Sequence, residues 1–251
     1  MNAKNILTRM SLFLFVILLA VIIGCKDKST NPAATTGYED DVADVVAASL
    51  GSDSSTDGIP AQLSDAAGYA GSSQQSSQSL HKAASFADYD TTFVRSKDNG
   101  TYSYSYTYNY NYGLKTASSL GFDFSIIGQY STPRMSSADS TAGVWTLSGI
   151  LPNAGSYTCN GTYNRIGSQI SKVRNKYNYN TIISFTVSSL VISKSTLKIL
   201  SGSASGSISG TVSGGQSFNY TMSIVFNGDM TATVTINGKV YTVNLTTGQV
   251  E

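Results

Sequence analysis

Residues 102–112 read Tyr-Ser-Tyr-Ser-Tyr-Thr-Tyr-Asn-Tyr-Asn-Tyr. Side chains alternate between the two faces of a strand, so a period of two is the signature of β structure. Tyr102, Tyr104, Tyr106, Tyr108, Tyr110 and Tyr112 share one face, and Ser, Thr and Asn take the other. At about 3.3 Å per residue the stretch spans roughly 36 Å. That is longer than the usual strand of about 5–6 residues. A tyrosine face of this kind has two readings. It is either the core side of a sheet, or a platform on which a sugar or an acyl chain could lie.

The alternation continues outward from about Asp90. Further strands are expected at 121–127, 143–151, 156–164, 177–193, 196–201 and 203–213. In the 177–193 segment Tyr177, Tyr179, Thr181, Ile183, Phe185, Val187 and Val191 share one face, with Ile182 and Leu190 as apolar exceptions on the other. The Gly/Ser-rich stretch 201–215 reads as a strand with a small-residue face under bulky neighbours, or else as a flexible linker. Pro32, Pro60, Pro133 and Pro152 all fall outside these segments, as the exclusion of proline from interior ladders requires.

The C-terminal register can be derived. Ile236-Asn237-Gly238-Lys239 favours a two-residue turn of type I′, which pairs 236 with 239, 234 with 241 and 232 with 243. For the preceding turn, Asn227-Gly228-Asp229, parity decides. A two-residue loop would set Phe226, Ile224 and Met222 against the polar face. A three-residue loop over 227–229 pairs Phe226 with Met230 and keeps the apolar faces together.

Upstream of the strands the period changes. Val42, Val45, Val46 and Leu50 recur at helical spacing over 38–50. Glu39, Asp40 and Asp41 lie in the first turn, where the helix dipole favours acids. A second helical patch covers 61–70, and 71–79 (GSSQQSSQS) reads as a low-complexity linker or exposed loop. Charge is uneven. Seven acids and no Lys or Arg lie between Ser29 and His81, whereas eight basic residues and three acids follow from Arg134 onward. The acids are therefore either a solvated face or the docking face of a helical segment on a basic part of the sheet.

The first 24 residues have the layout of an export signal. Lys4 and Arg9 precede an apolar run over 11–23. The run ends in Ile22-Ile23-Gly24-Cys25, which resembles the lipobox of bacterial lipoproteins. The resemblance covers the leader alone. It implies cleavage after Gly24 and lipidation of Cys25, with acyl chains that hold the chain to a membrane. Lys26, in place of Asp after the lipidated Cys, implies the outer membrane. The mature chain of 227 residues would hold Cys159 as its one free thiol. Beyond the lipobox the chain resembles no characterised family.

Composition excludes several chemistries. Charged residues make up 12% of the chain, against about 25% in an average globular protein. With 16 basic and 15 acidic residues there is no cationic excess for nucleic acid. His81 is the one histidine, so an imidazole metal site or a Ser-His-Asp triad has little to draw on. Cys159 has no base placed near it in sequence. Paired carboxylates for glycoside hydrolysis would have to come from Asp90, Asp98, Asp123, Asp139 and Asp229. Asp53-Ser-Ser-Thr-Asp57-Gly58 matches half of a calcium loop, but its twelfth position is Ser64. Arg165, Lys172, Arg174 and Lys176 form a basic cluster between two strands. They are either a solvated hairpin end or a contact for anionic headgroups or glycans.

The expected organisation is a signal peptide at 1–24, a lipidated tether at 25–37, an acidic helical segment with linker at 38–89, and an antiparallel β domain at 90–251. The fold class expected is mostly β. The sheet would be a sandwich or an open curved barrel of about eight to ten strands, with a short acidic N-terminal helical segment. The function expected is that of a lipid-anchored envelope protein with a structural, adhesive or surface role, no catalysis, no cofactor and no metal. The alternative is a carrier of lipid or another hydrophobic ligand on the aromatic sheet face. Expected partners are the membrane through the N-terminal lipid, and a lipid or glycan ligand.

Overall fold

The computed structural model describes residues 37–52, 57–78, 88–174 and 176–251. The leader, Cys25, nearly all of the tether, Asp53 and His81 lie outside the described residues. Residues Ala34–Glu251 form one compact unit by themselves, and every residue of the buried core falls within it.

Among the described residues two helices precede the sheet, α1 (Glu39–Ala48) and α2 (Ile59–Gln78). The strands are β1 (Tyr89–Asp98), β2 (Ser103–Thr116), β3 (Ser119–Ser131), β4 (Met135–Ser148), β5 (Ser156–Ser171) and β6 (Asn178–Ser193). They continue as β7 (Ile199–Val212), β8 (Ser217–Phe226), β9 (Thr231–Ile236), β10 (Lys239–Asn244) and β11 (Gln249–Val250). All eleven pair in chain order as one antiparallel meander, and β1 does not pair with β11. This is the mostly β, antiparallel fold expected, with one open sheet and eleven strands rather than eight to ten.

The sheet curls around the helices. Eleven strands at about 4.8 Å spacing would make a flat sheet roughly 48 Å wide. Yet α1, whose ten residues span about 15 Å, bonds to the β3–β4 turn, the β5–β6 turn and β10. Only a strongly curved sheet brings those elements to one short helix. Residues 41–50 are all buried, and Val42, Val45, Val46 and Leu50 are fully so. Each such side chain contributes about 1.5–3 kcal/mol of hydrophobic stabilisation.

Curvature needs room on the concave face, and glycine opposite an aromatic supplies it. Tyr106 pairs with Gly128, Phe124 with Gly143, Trp145 with Gly161 and Phe185 with Gly206. In the first three pairs a Cβ on the glycine would collide with the ring opposite, and on Gly206 with the backbone beside Phe185. The Gly/Ser stretch is accordingly strand β7, with its small residues under larger ones, and not a linker.

Some boundaries differ from the periodic reading. β4 starts at Met135 rather than 143, and β5 runs on to Ser171 rather than 164. The extra length points Ser137, Asp139, Thr141, Arg165 and Gln169 inward, so alternation of apolar with polar is absent there. The two segments expected at 196–201 and 203–213 are one strand, β7. The linker expected from Gly71 is helical to Gln78 as part of α2.

The 236–239 hairpin has the derived register. The preceding loop keeps the derived parity but sits two positions out in pairing. Phe226 pairs with Ala232 and Ile224 with Val234. Asn227 N–H donates to the Thr231 carbonyl at 3.1 Å, so the three-residue loop is 228–230 rather than 227–229. Asp229 fixes it by accepting from the Thr231 N–H at 3.0 Å, and Met230 takes the left-handed φ of 66°.

Candidate functional site

The described acids of the helical segment pair with the sheet. Asp40 accepts from Lys239 at 2.6 Å and from the Tyr241 hydroxyl at 2.9 Å. Asp41 pairs with Arg174 at 3.3 Å, and Asp44 with Arg134 at 3.1 Å and with Arg174. Asp65 takes a bidentate pair from Arg95 at 2.9 and 3.0 Å, and the Tyr110 hydroxyl donates to it at 2.6 Å. The acidic segment docks on basic residues of the sheet, the second of the two readings open in the sequence. Lys239 and Tyr241 hold the Asp40 carboxyl below its ordinary value.

Deeper in, the loop between α1 and α2 is tied to β4 and β5 by buried charges. Arg165 is fully buried, as is Asp57, and Asp139 is nearly so. The Arg165 guanidinium donates to Asp139 at 2.5 Å and to the Ser49 hydroxyl at 2.9 Å, and its Nε lies 3.4 Å from Asp57 Oδ2. Thr141 donates to Asp57 at 2.9 Å, and Ser137 to Asp139 at 2.6 Å. The Tyr163 hydroxyl donates to the Asp57 carbonyl at 3.3 Å, and the Tyr130 ring faces the guanidinium at 5.5 Å. Burial pushes Asp57 up to about 7, the Asp139 charge adds to this, and Arg165 opposes it. Burial works against the Arg165 charge, but Asp139 and Asp57 outweigh it and keep it protonated. Asp57 Oδ1 and Asp139 Oδ1 otherwise lack partners. A hydrogen bond between the Asp57 and Asp139 side chains adds to the upward push on Asp57. Sealed from solvent, this cluster can clamp a loop to a sheet but offers no surface to a substrate.

The tyrosines of β2 face the same interior. Tyr106, Tyr108 and Tyr110 are 0–2% exposed, while Tyr102, Tyr104 and Tyr112 are half-buried. Tyr69 of α2 stacks on Tyr112 at 4.2 Å, and Tyr110 donates to Gln62 at 2.8 Å. The chain's own helix thus covers the centre of this face.

The other candidates are scattered. Asp98 caps the β1–β2 turn through the Gly100 N–H, Asp229 caps Thr231, and Asp90 accepts from Asn111. Asp123 is exposed on the outer face. No two of these meet in a hollow. Asp57 of the half calcium loop is turned inward onto Arg165 and Thr141. Among the described residues no group of three or more His, Cys, Asp or Glu could hold a metal. Of the basic cluster, Arg165 is in the core, Arg174 pairs with α1, and Lys172 donates to Ser131 and to the Thr132 carbonyl. Cys159 is buried, and burial pushes its thiol up to about 12. Ellman's reagent at pH 8 is therefore expected to leave Cys159 unmodified until denaturant is added. Prompt stoichiometric labelling of the folded protein would contradict the burial.

The convex face of the sheet has a character of its own. From β4 to β9 no outward residue is charged. Ser, Thr and Asn dominate, with Ile and Val interspersed. Register aligns Ile127, Ser140, Ile166, Ile182 and Ser209 in one row across five strands. Ile127 and Ile166 are each 60% exposed. A trough of about 720 Å³ crosses β1–β5, lined by serines together with Lys97, Asp98, Tyr104, Gln129, Tyr130 and Ile170. A second hollow, of about 530 Å³, lies beside Asp65 and Arg95.

No family model matches the chain, and neither a curated protein nor a solved structure does. Among the described residues no helix is long and apolar enough to cross a membrane.

Sequence reasoning missed Asp57 and Arg165 as partners. The available signal was a pair of charges, Asp139 and Arg165, set at inward parity within otherwise alternating strands.

Proposed function

We propose that the chain is a lipid-anchored protein of the cell envelope, held through Cys25, with a structural or adhesive surface role and no catalytic step of its own. The observation that supports this best is the convex face, which stays uncharged over six strands. A free-standing surface carries charge for solubility, and about a quarter of residues in average proteins are charged. A broad face of hydroxyls, amides and single Ile or Val side chains instead suits contact with a neutral partner, because no ion has to be desolvated. The helices, by contrast, spend their charges on the sheet itself, so the fold is built to hold this face in shape. The lipobox resemblance adds the anchor and favours the outer membrane.

The test is fractionation. Wild type is expected in the membrane fraction and Cys25→Ser in the soluble fraction. Unchanged membrane association of Cys25→Ser would overturn the anchor. For the surface role, Ile166→Lys with Ile182→Lys should abolish adhesion or self-assembly of cells displaying the protein, without changing its melting temperature. Cells indifferent to the pair would remove the convex face from the function.

A further inference from the structure

We propose that the hollow beside Arg95 is a binding site for a single-chain anionic amphiphile, a fatty-acid-like carboxylate. The proposal goes beyond the anchored, adhesive reading and does not depend on it.

The hollow lies where the sheet stays open. Among the described residues no strand pairs with the outer edge of β1. One wall is Arg95 of β1 with Tyr104 of β2, and the floor is the first turns of α2, including Pro60, Ala61 and Asp65. The opposite wall comes from the far strands: Leu197 and Lys198 of the β6–β7 turn, Ile199, Met230 and Leu245. Its volume of about 530 Å³ falls within the range of roughly 300–1,000 Å³ typical of small-molecule sites.

The lining is divided by chemistry. Ile199 and Leu245 are buried behind it, and Leu197 and Met230 stand at its side. Leu197 and Met230 both adopt left-handed backbone, at φ 55° and 66°. Non-glycine residues rarely take that conformation, and it is sustained only where the surroundings impose it. Here it places two apolar side chains against one hollow. The polar end has two cations and one acid. Asp65 is already engaged by both Arg95 nitrogens and by Tyr110. The Lys198 ammonium makes no hydrogen bond among the described residues, and Arg95 is 39% exposed. The rim therefore keeps an excess positive charge next to an apolar wall. A carboxylate head with one alkyl chain matches both parts, the head near Lys198 and Arg95 and the chain against Leu197, Met230 and Leu245. The hollow touches the tyrosine face only at Tyr104, and α2 covers the centre of that face.

The experiment uses residues 34–251, the self-contained unit, with a cooperative melt checked first. Dodecanoate is titrated calorimetrically below its micelle concentration. Saturable one-site binding is expected. Ala61→Trp, which fills the floor, should weaken it by about tenfold or more, and Lys198→Glu by about three- to tenfold. Dodecanol should bind more weakly and ignore Lys198→Glu. Independently of any variant, dodecanoate should shift the methyl resonances of Leu197, Met230 and Leu245. No saturable binding by wild type, binding indifferent to a folded Ala61→Trp, or shifts confined to other regions would each overturn the proposal. A neutral oligosaccharide shifting the same methyls where dodecanoate does not would also overturn it. The fractionation of Cys25→Ser is untouched by any of these results, so the two readings fail separately.

Discussion

Arg165→Met is expected to destabilise the fold by about 3–5 kcal/mol, the usual cost of removing one partner from a buried ion pair. Arg165 is fully buried and stands between Asp57 and Asp139, at 3.4 and 2.5 Å. Methionine fills similar space but donates nothing. Two buried carboxyls would then face each other without a cation, and Ser49 would lose its donor. The loss falls where α1, the following loop, β4 and β5 meet, so it should cost global stability and not local order alone. Urea unfolding followed by tryptophan fluorescence measures it, since Trp145 lies in the same interior. A loss below about 1 kcal/mol would show that the cluster is solvated or unpaired in solution. The triple variant Arg165→Met, Asp57→Asn, Asp139→Asn should recover most of the loss, because removing every charge also removes every desolvation cost. If the triple variant is no better than the single, packing of the guanidinium stem and not charge is what matters.

The same cluster marks the limit of what could be read from the chain. Strands with a clean face were legible. The tyrosine run of β2, the Ile183–Phe185–Val187 face of β6 and the Asn237-Gly238 hairpin follow from period and turn chemistry alone. Where the inward face is polar, the signal vanishes, and the first eight residues of β4 were lost for that reason. Arg165 reads as surface by type, since arginine is almost never fully buried unless paired. Its partners lie 26 and 108 residues away. Pairing over such distances is a product of sheet order and helix docking, which no local pattern encodes. The loop at 228–230 shows a finer limit. Parity follows from side-chain faces, but a shift of two preserves parity, and the choice between registers rests on the Asp229 cap and on Met230 accepting a left-handed backbone. The seam hollow is further from the sequence still, since its walls come from β1, α2 and three far turns.

A pH dependence should follow from Asp57. Its carboxyl holds a proton up to about 7 in the folded protein, against an ordinary value of 3.8. Between those values the folded state binds more protons than the unfolded chain, so stability falls as pH rises. The contribution is fully present below about 4, is lost through the interval, and is gone above about 7. Every group that faces Asp57 bears on the sign: Arg165 favours the ionised form, Asp139 opposes it, Thr141 donates to the carboxylate, and Tyr106, Tyr130 and Tyr163 are pushed up by burial and stay neutral. Asp40, held low by Lys239 and Tyr241, acts in the opposite sense, with stability lost only as pH falls below about 4. Its window therefore does not overlap the one read here. Wild type is expected to lose about 2–3 kcal/mol between pH 5 and pH 8, at about 1.4 kcal/mol per unit of displaced titration. Asp57→Asn cannot ionise and keeps a group able to donate to Asp139, so its unfolding midpoint should be flat over the same range. The two curves should converge towards pH 5 and separate towards pH 8, with the variant the more stable. A slope that survives unchanged in Asp57→Asn would assign the proton to another group and leave Asp57 ionised beside Arg165 throughout.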